Sequence, residues 1–383
     1  MKAGISLADL AAEVTRQANT KVDYLINTQE SLRMLPMPNF PKGVALVSLA
    51  AGAEHLQRFS LTDTAHDQIA SWLEIPRKYY DRLLIDHLDM LCDNVNKLFE
   101  REPGTRMVRT LDGACRAFMS DRYRRLDNDS VLAAVLPQIL SANEGGVKSH
   151  MVLQSTISDR QMNLSVVFTD KSLEQDIGVT AKGGRDIVLP GFKVGNSETG
   201  RGSLNMKGFF YRTYCMNGCV WAADGTEIEF QRNHAGGKLT ADMERVIFTD
   251  ESRQADDRAL MLQLRDMIKG MGSPQIAQAM GDALRALKDG PTIKKPNAAI
   301  EVLAKQVGLQ EGEKESFLAN LIAEADLTRY GAMNAITAIA NSDEVSDDRA
   351  HDLQEIGGSL ITMTQAQWTA IANATKVRVL VAA

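Results

Sequence analysis

The chain is poor in cysteine and in aromatic residues, and it lacks both long apolar runs and any basic surplus. Its 383 residues include four cysteines, Cys92, Cys115, Cys215 and Cys219. These are too few and too scattered for a disulfide framework, so free thiols in a reducing, cytoplasmic setting are expected. No run of about 18 apolar residues occurs, so no membrane-spanning helix is expected. The opening "MKAGISLADLAAEVTRQ" reads as a charged amphipathic helix rather than an apolar leader. The net charge of −6 excludes a uniformly basic DNA-coating protein, although it leaves room for a local basic face. The six histidines stand singly, which removes the ordinary spacing of a His-based metal site.

What is present is an ordinary globular composition, with 44% hydrophobic and 24% charged residues. Residues 1–40 read as a helical arm followed by the extended, proline-rich "LPMPNFPKG". "GVALVSLA" (43–50) has strand character, and "SLTDTAHDQIASWLEIPRKYYDRLL" reads as two short helices split at Pro76, the first capped by Thr62. Arg77, Lys78 and Arg82 give that pair either a groove-facing surface or a plain solvated one. Beyond about residue 241, five helical segments follow one another, punctuated by Gly, Pro and Ser. The expected fold class is α+β: a hairpin-rich antiparallel sheet packed with helices at 41–240, then an all-α region at 241–383.

Three hairpins are expected in the core. "TRMVRTL" and "ACRAFMS" flank Asp112-Gly113, a pair suited to a type I′ turn because both central residues must reach positive φ. A second hairpin turns near Ser158-Asp159-Arg160. A third, "LNMKGFFYRTYC-MNG-CVWAA", is centred on Asn217-Gly218. Charge is unevenly distributed. Residues 101–125 carry seven arginines against three acids, whereas 301–360 carry twelve acids against four Lys/Arg.

Two stretches, "VRTLDGACRAFMSDRYRRLDN" (108–128) and "GNSETGRGSLNMKGFFYRTYCMNG" (195–218), resemble the motifs of the phage/plasmid-like family catalogued as domain of unknown function 932. The resemblance extends over roughly 60–340 through "EIPRKYYDRL" and "NAITAIAN". It implies a phage or mobile-element setting and no particular mechanism.

No reaction chemistry stands out. "GNSETGRG" has the frame of a phosphate loop, but Arg201 stands where the lysine belongs and Gly202 where a hydroxyl would hold magnesium. It remains usable as an anion cradle. Cys215 and Cys219 are spaced C-x3-C without a second ligand pair. Asp121, Asp127 and Asp129 are close in sequence, as Asp159 and Glu198 are in motif terms, yet each suits a turn, a cap or an arginine partner. No nucleotide, metal or other cofactor is therefore expected. Nucleic-acid contact fits the residue types best, with Arg106, Arg109, Arg116, Arg122, Arg124, Arg125, Arg201, Lys207 and Arg212 as phosphate contacts. Phe118 and Tyr123 would be the stacking rings. The expected function is single-stranded DNA binding or annealing by a homo-oligomer, its acidic helices packing against a neighbour's basic face. The competing reading is a non-enzymatic protein that binds a host or viral protein through those acidic helices. Alternatively, the arginines are internal ion pairs, with Phe118 and Phe210 in the core.

Overall fold

The computed structural model describes residues 4–48, 56–144, 150–180, 183–221, 230–232 and 250–375. Its first unit is built on a six-stranded sheet. Helix α1 (Leu7–Thr20) leads into β1 (Val22–Asn27), a single turn α2 (Thr28–Ser31), β2 (Leu32–Pro36), β3 (Val44–Ser48) and β4 (Gln57–Leu61). Helices α3 (Asp63–Trp72), α4 (Arg77–Asp86) and α5 (Leu88–Arg101) follow, then the hairpin β5 (Thr105–Leu111) and β6 (Ala114–Ser120). The strand order is β1-β5-β6-β4-β3-β2, antiparallel except for the β4–β6 pair. The expected arm and linker of residues 1–40 are thus corrected. Both edge strands of this sheet come from there, because alternation in "VDYLIN" and "LRMLP" buries Ile26, Leu32 and Met34.

Thr62 caps α3 through the Ala65 N–H and Pro76 opens α4, as the sequence predicts. These two helices and α5 cover the sheet with Ile69, Leu73, Tyr80, Leu83, Leu91, Val95 and Phe99, which meet Val108, Cys115 and Phe118. His66 is buried here and its Nδ1 lies 2.9 Å from the Tyr80 hydroxyl; burial drives its pKa down to about 4. The inward face of the two helices is packed scaffold, while Lys78 and Arg82 of α4 stay on the solvent side.

Helix α6 (Asn128–Glu144) connects to the second sheet, made of β7 (His150–Ile157), β8 (Met162–Phe168), β9 (Gln175–Val179), β10 (Arg185–Asn196), β11 (Leu204–Arg212), β12 (Asn217–Trp221) and β13 (Phe230–Arg232). Its main path is β12-β11-β10-β8-β7, with β9 on β10 and β13 on β11. The third hairpin forms, but its turn is Thr213–Met216, with Met216 at φ 52°. Asn217 and Gly218 are already paired strand residues, and the buried Asn217 side chain meets the Asn334 carbonyl and the Asn341 side-chain amide.

The C-terminal region is all helical: α7 (Asp250–Met271), α8 (Pro274–Ala286), α9 (Pro296–Val307), α10 (Glu313–Glu324), α11 (Arg329–Ile339), α12 (Asp347–Thr362) and α13 (Gln365–Ala372). It is not a separate body. Leu264, Leu284, Leu303, Phe317, Ile336 and Leu353 share one core with Leu164, Phe192, Val194, Met206 and Phe210 of the second sheet. Much of the sequence from "TEIEFQRNHAGGK" to residue 249 lies outside the described residues.

Two glycines carry different constraints. Asp112 and Gly113 take φ 51° and 80°, the expected primed turn, and an added Cβ on Gly113 would meet nothing. At Gly191 of β10 a Cβ would sit 2.0 Å from the Val166 carbonyl oxygen of β8. Gly113→Ala is therefore expected to cost about 1 kcal/mol through φ strain alone. Gly191→Ala should cost about 3 kcal/mol or prevent folding, because backbone must separate. Urea unfolding of the two variants checks the ranking.

Candidate nucleic-acid interface

The arginine hairpin is shaped by one extra residue. Arg109 stands opposite Ala117 but Thr110 stands opposite Cys115, so Arg116 is the residue of a β-bulge. The bulge lets Cys115 and Phe118, three positions apart, both enter the core under α3 and α5. It also aims Arg116 at the same partner as Arg109, the segment 197–202 that follows β10.

That partner is Glu198, 5% exposed, on the segment between β10 and β11. Arg116 Nη2 donates to Glu198 Oε2 at 2.5 Å, and Arg109 Nη1 donates to the Glu198 carbonyl at 3.0 Å. The Asn128 N–H, at the start of α6, donates to Glu198 Oε1 at 2.6 Å. Arg109 also reaches Asp23 of β1 (2.9 Å) and Asp127 (2.7 Å). Lys21 Nζ lies 2.8 Å from Asp127, 3.1 Å from Asp129 and 3.4 Å from Glu198. Three cations, Lys21, Arg109 and Arg116, thus face three largely covered carboxylates, Asp23, Asp127 and Glu198. Burial alone would pull the Lys21 ammonium down, but Glu198 and Asp127 hold it above its ordinary value. Burial would raise the Asp127 carboxyl; Arg109 and Lys21 override that and hold it below the usual range.

Carboxylate oxygens of Asp127, Asp129 and Glu198 lie within 4.8 Å of one another, a spacing a cation could use. The Lys21 ammonium binds all three, so the chain supplies the cation itself. Lys21 and Asp23 were not among the expected site residues; their only signals are a lysine directly after the helix and a lone acid in an apolar strand. Cys215 and Cys219 form no joint site: Cys215 Sγ contacts Glu324 and Cys219 is buried beside the Gln354 carbonyl.

Several expected contacts are corrected by burial. Arg109 is fully covered, and Arg116 and Arg212 are 6% and 4% exposed. Arg212 pairs with Asp186 at 2.7 Å and Glu324 at 2.5 Å. A guanidinium so paired presents nothing to a phosphate. Phe118 is 1% exposed and stacks at 6.1 Å on Phe99, and the Tyr123 hydroxyl donates to the Ser197 carbonyl at 3.1 Å. Both rings are structural. Arg124 pairs with Asp256 and Asp257 of α7, and Lys207 with Glu355 of α12. Arg125 is exposed, with Asp23 at 3.7 Å.

Two arginines remain without a carboxylate partner among the described residues, and a third, Arg201, lies at the same corner. Arg106 stands opposite Ser120 in the β5–β6 register, with its guanidinium 5.0 Å from the Trp72 ring centroid and 5.1 Å from that of Phe118. Arg122 is exposed in the turn that Ser120 begins. Neither has a carboxylate within 4.0 Å among the described residues. Arg201 rests on α3, 2.8 Å from Asp67. Gln68 of α3 fastens the corner, accepting from the Phe118 N–H and donating to the Thr199 carbonyl, each at 2.7 Å. Gly200, at φ 74°, fits where a Cβ would lie 3.0 Å from the Met119 sulfur.

Replacing Arg109 by Met removes the nearest cation from Asp23, leaves Asp127 to Lys21 and takes a donor from the Glu198 carbonyl, and should cost about 3–5 kcal/mol in denaturant unfolding. Arg122→Ala should change stability by less than about 0.5 kcal/mol. The network also sets an acid limit. Since the native Asp127 carboxyl titrates below its unfolded value, its contribution is complete above about pH 4 and is lost as pH falls through the native value. Stability measured between about pH 5 and 2 should fall less steeply in Asp127→Asn than in the parent, measured from the variant's own lower starting point. No protein-family model, curated protein or solved structure matches the chain, so its functional reading rests on these residues.

Proposed function

We propose that the chain binds single-stranded nucleic acid across the corner formed by Arg106, Arg122 and Arg201, as a non-catalytic binding or annealing protein. The observation that carries this reading is a pair of expected cations, Arg106 and Arg122, without an internal carboxylate partner among the described residues, beside a third, Arg201, that pairs with Asp67. Cations from β5, the turn after β6 and the 197–202 segment converge on one edge, and Arg122 and Arg106 have no carboxylate within ion-pair distance among the described residues. The partly exposed Trp72 beneath Arg106 adds a ring face beside that charge. Backbone-tracking cations next to aromatic surface are the means by which single strands are held without sequence preference. The resemblance of residues 108–128 and 195–218 to the phage/plasmid-like family belongs to the same reading. It supports a mobile-element setting.

Binding of a labelled single-stranded oligonucleotide across a salt series tests it. Removing one phosphate-neutralising cation should flatten the log–log salt slope by about 0.7. Arg122→Ala/Arg201→Ala is therefore expected to lower affinity at low salt and reduce the slope by about 1.4, with unfolding unchanged. Absence of binding by the parent protein at low salt would overturn the reading and direct the search to protein partners of the acidic helices.

A further inference from the structure

Two cross-strand rows of the second sheet are polar where a core would ordinarily be apolar. Gln154, Ser165, Lys193 and Lys207 stand side by side on β7, β8, β10 and β11, and Thr156, Asn163, Gly195 and Asn205 form the next row. Directly opposed residues share a face. Helix α12 closes over them with His351 against Thr156 (3.0 Å), Gln354 against Lys193 (3.3 Å) and Glu355 against Lys207 (3.2 Å). Gln154, Thr156, Asn163, Ser165, Lys193, His351 and Gln354 are each no more than 6% exposed.

The hydrogen-bond directions in this layer follow from the lysine. Lys193 Nζ can only donate, so the Gln354 atom facing it is the oxygen. Gln354 Nε2 then faces Gln154, at 3.4 Å, and must meet the Gln154 oxygen. That leaves Gln154 Nε2 as an unclaimed donor. Asn163 Nδ2 and Ser165 Oγ are likewise buried without a partner. Lys193 itself has no carboxylate within 4.0 Å among the described residues, since Glu355 serves Lys207 and Asp352 serves Arg160 and Arg349. The layer therefore holds a buried positive charge, a surplus of N–H and O–H groups, and no free carboxylate. Buried polar atoms are ordinarily satisfied, and three unsatisfied ones that can donate, in a single layer, point to a ligand that accepts hydrogen bonds.

We propose that Lys193, Gln154, Ser165 and Asn163 form an interior site for a small inorganic monoanion of halide size, which fastens α12 to the second sheet. A water molecule brings two donors of its own and no charge, whereas a halide accepts from every unclaimed donor and neutralises the ammonium. Size is limited by packing: a Cβ at Gly195 would already lie 3.1 Å from Asn205 and 3.2 Å from Asn163. The groups facing the ammonium are His351, Asp352 and Glu355 from α12, Lys207 from β11 and Cys219 from β12. Burial keeps His351 neutral at ordinary pH and pushes the Cys219 thiol up, so neither supplies a charge. Burial also pulls the lysine, in the absence of an anion, down to about 8. Anion and proton should accordingly bind together, with the anion effect strongest below that pH and fading above it.

Thermal unfolding at fixed ionic strength in sodium chloride and in sodium gluconate, an anion too large to enter, tests the site. In the parent protein at pH 7, chloride should raise Tm saturably by about 2 °C, and the difference should shrink as pH rises past about 8. Lys193→Met should abolish the chloride response. Gln154→Glu, which replaces the unclaimed amide donor of the site by a carboxylate in the same row as Lys193, should abolish it too, with a Tm no lower than the parent's; it decides the matter if Lys193→Met does not fold. Superimposable parent curves in the two salts, or an undiminished chloride response in Gln154→Glu, would overturn the proposal and assign the layer to internal water.

Discussion

The most heavily buried polar contact between the two sheets centres on one carboxylate. Glu198 leaves the end of β10 and reaches Arg116 of the first sheet, while its carbonyl meets Arg109 and its second oxygen meets the start of α6. Every group around it is charged or strongly polar, and nearly all are covered. Such a network is a poor source of net stability, because desolvation offsets most of the attraction. Its effect is specificity of arrangement: a sheet shifted by one residue would leave Arg109 or Arg116 buried without an acceptor, at a cost of several kcal/mol on the order of the whole stability of a domain. The position of the 197–202 segment, and with it Gly200 and Arg201, follows from that constraint.

The same logic explains what the sequence made legible. The Asp112-Gly113 turn was readable because positive φ at two successive residues restricts the choice of side chain. The α3–α4 break was readable because Pro76 cannot continue a helix. The bulge at Arg116 was not, since strict alternation would place Cys115 and Phe118 on opposite faces and nothing local marks the extra residue. Without it, the arginines cannot be sorted into inward and outward sets. Their partners are also far away in sequence: Asp23 lies 86 residues from Arg109, and Glu324 lies 112 residues from Arg212. Clustered arginine therefore announced a charged site correctly but could not say whether the counter-charge belonged to the chain or to a ligand.

The acidic helices answer a related question. Their carboxylates turn back onto the chain's own cations: Asp256 and Asp257 onto Arg124, Glu324 onto Arg212, Asp352 onto Arg160 and Glu355 onto Lys207. Part of the opposite charge of the β-rich and helical regions is thus matched within one molecule, through Glu324, Asp352 and Glu355 of the acidic stretch and Asp256 and Asp257 before it. Where α12 crosses the sheet, however, the match is incomplete. Lys193 lies inside the contact with only an amide oxygen at 3.3 Å, and a buried ammonium so poorly matched must either lose its proton or gain an anion.

Under the proposed function, the internal pairing bears directly on the strength of nucleic-acid binding. Of the eleven residues whose type suggested contact, the corner keeps three arginines, and three phosphate contacts give a weak, strongly salt-sensitive attachment. A single copy would therefore dissociate readily at moderate salt. Several copies along one strand would add their contacts through effective concentration, without any new interaction in each. Under the proposed function, useful affinity thus depends on how many corners one strand can engage at once. Self-association would follow from that requirement.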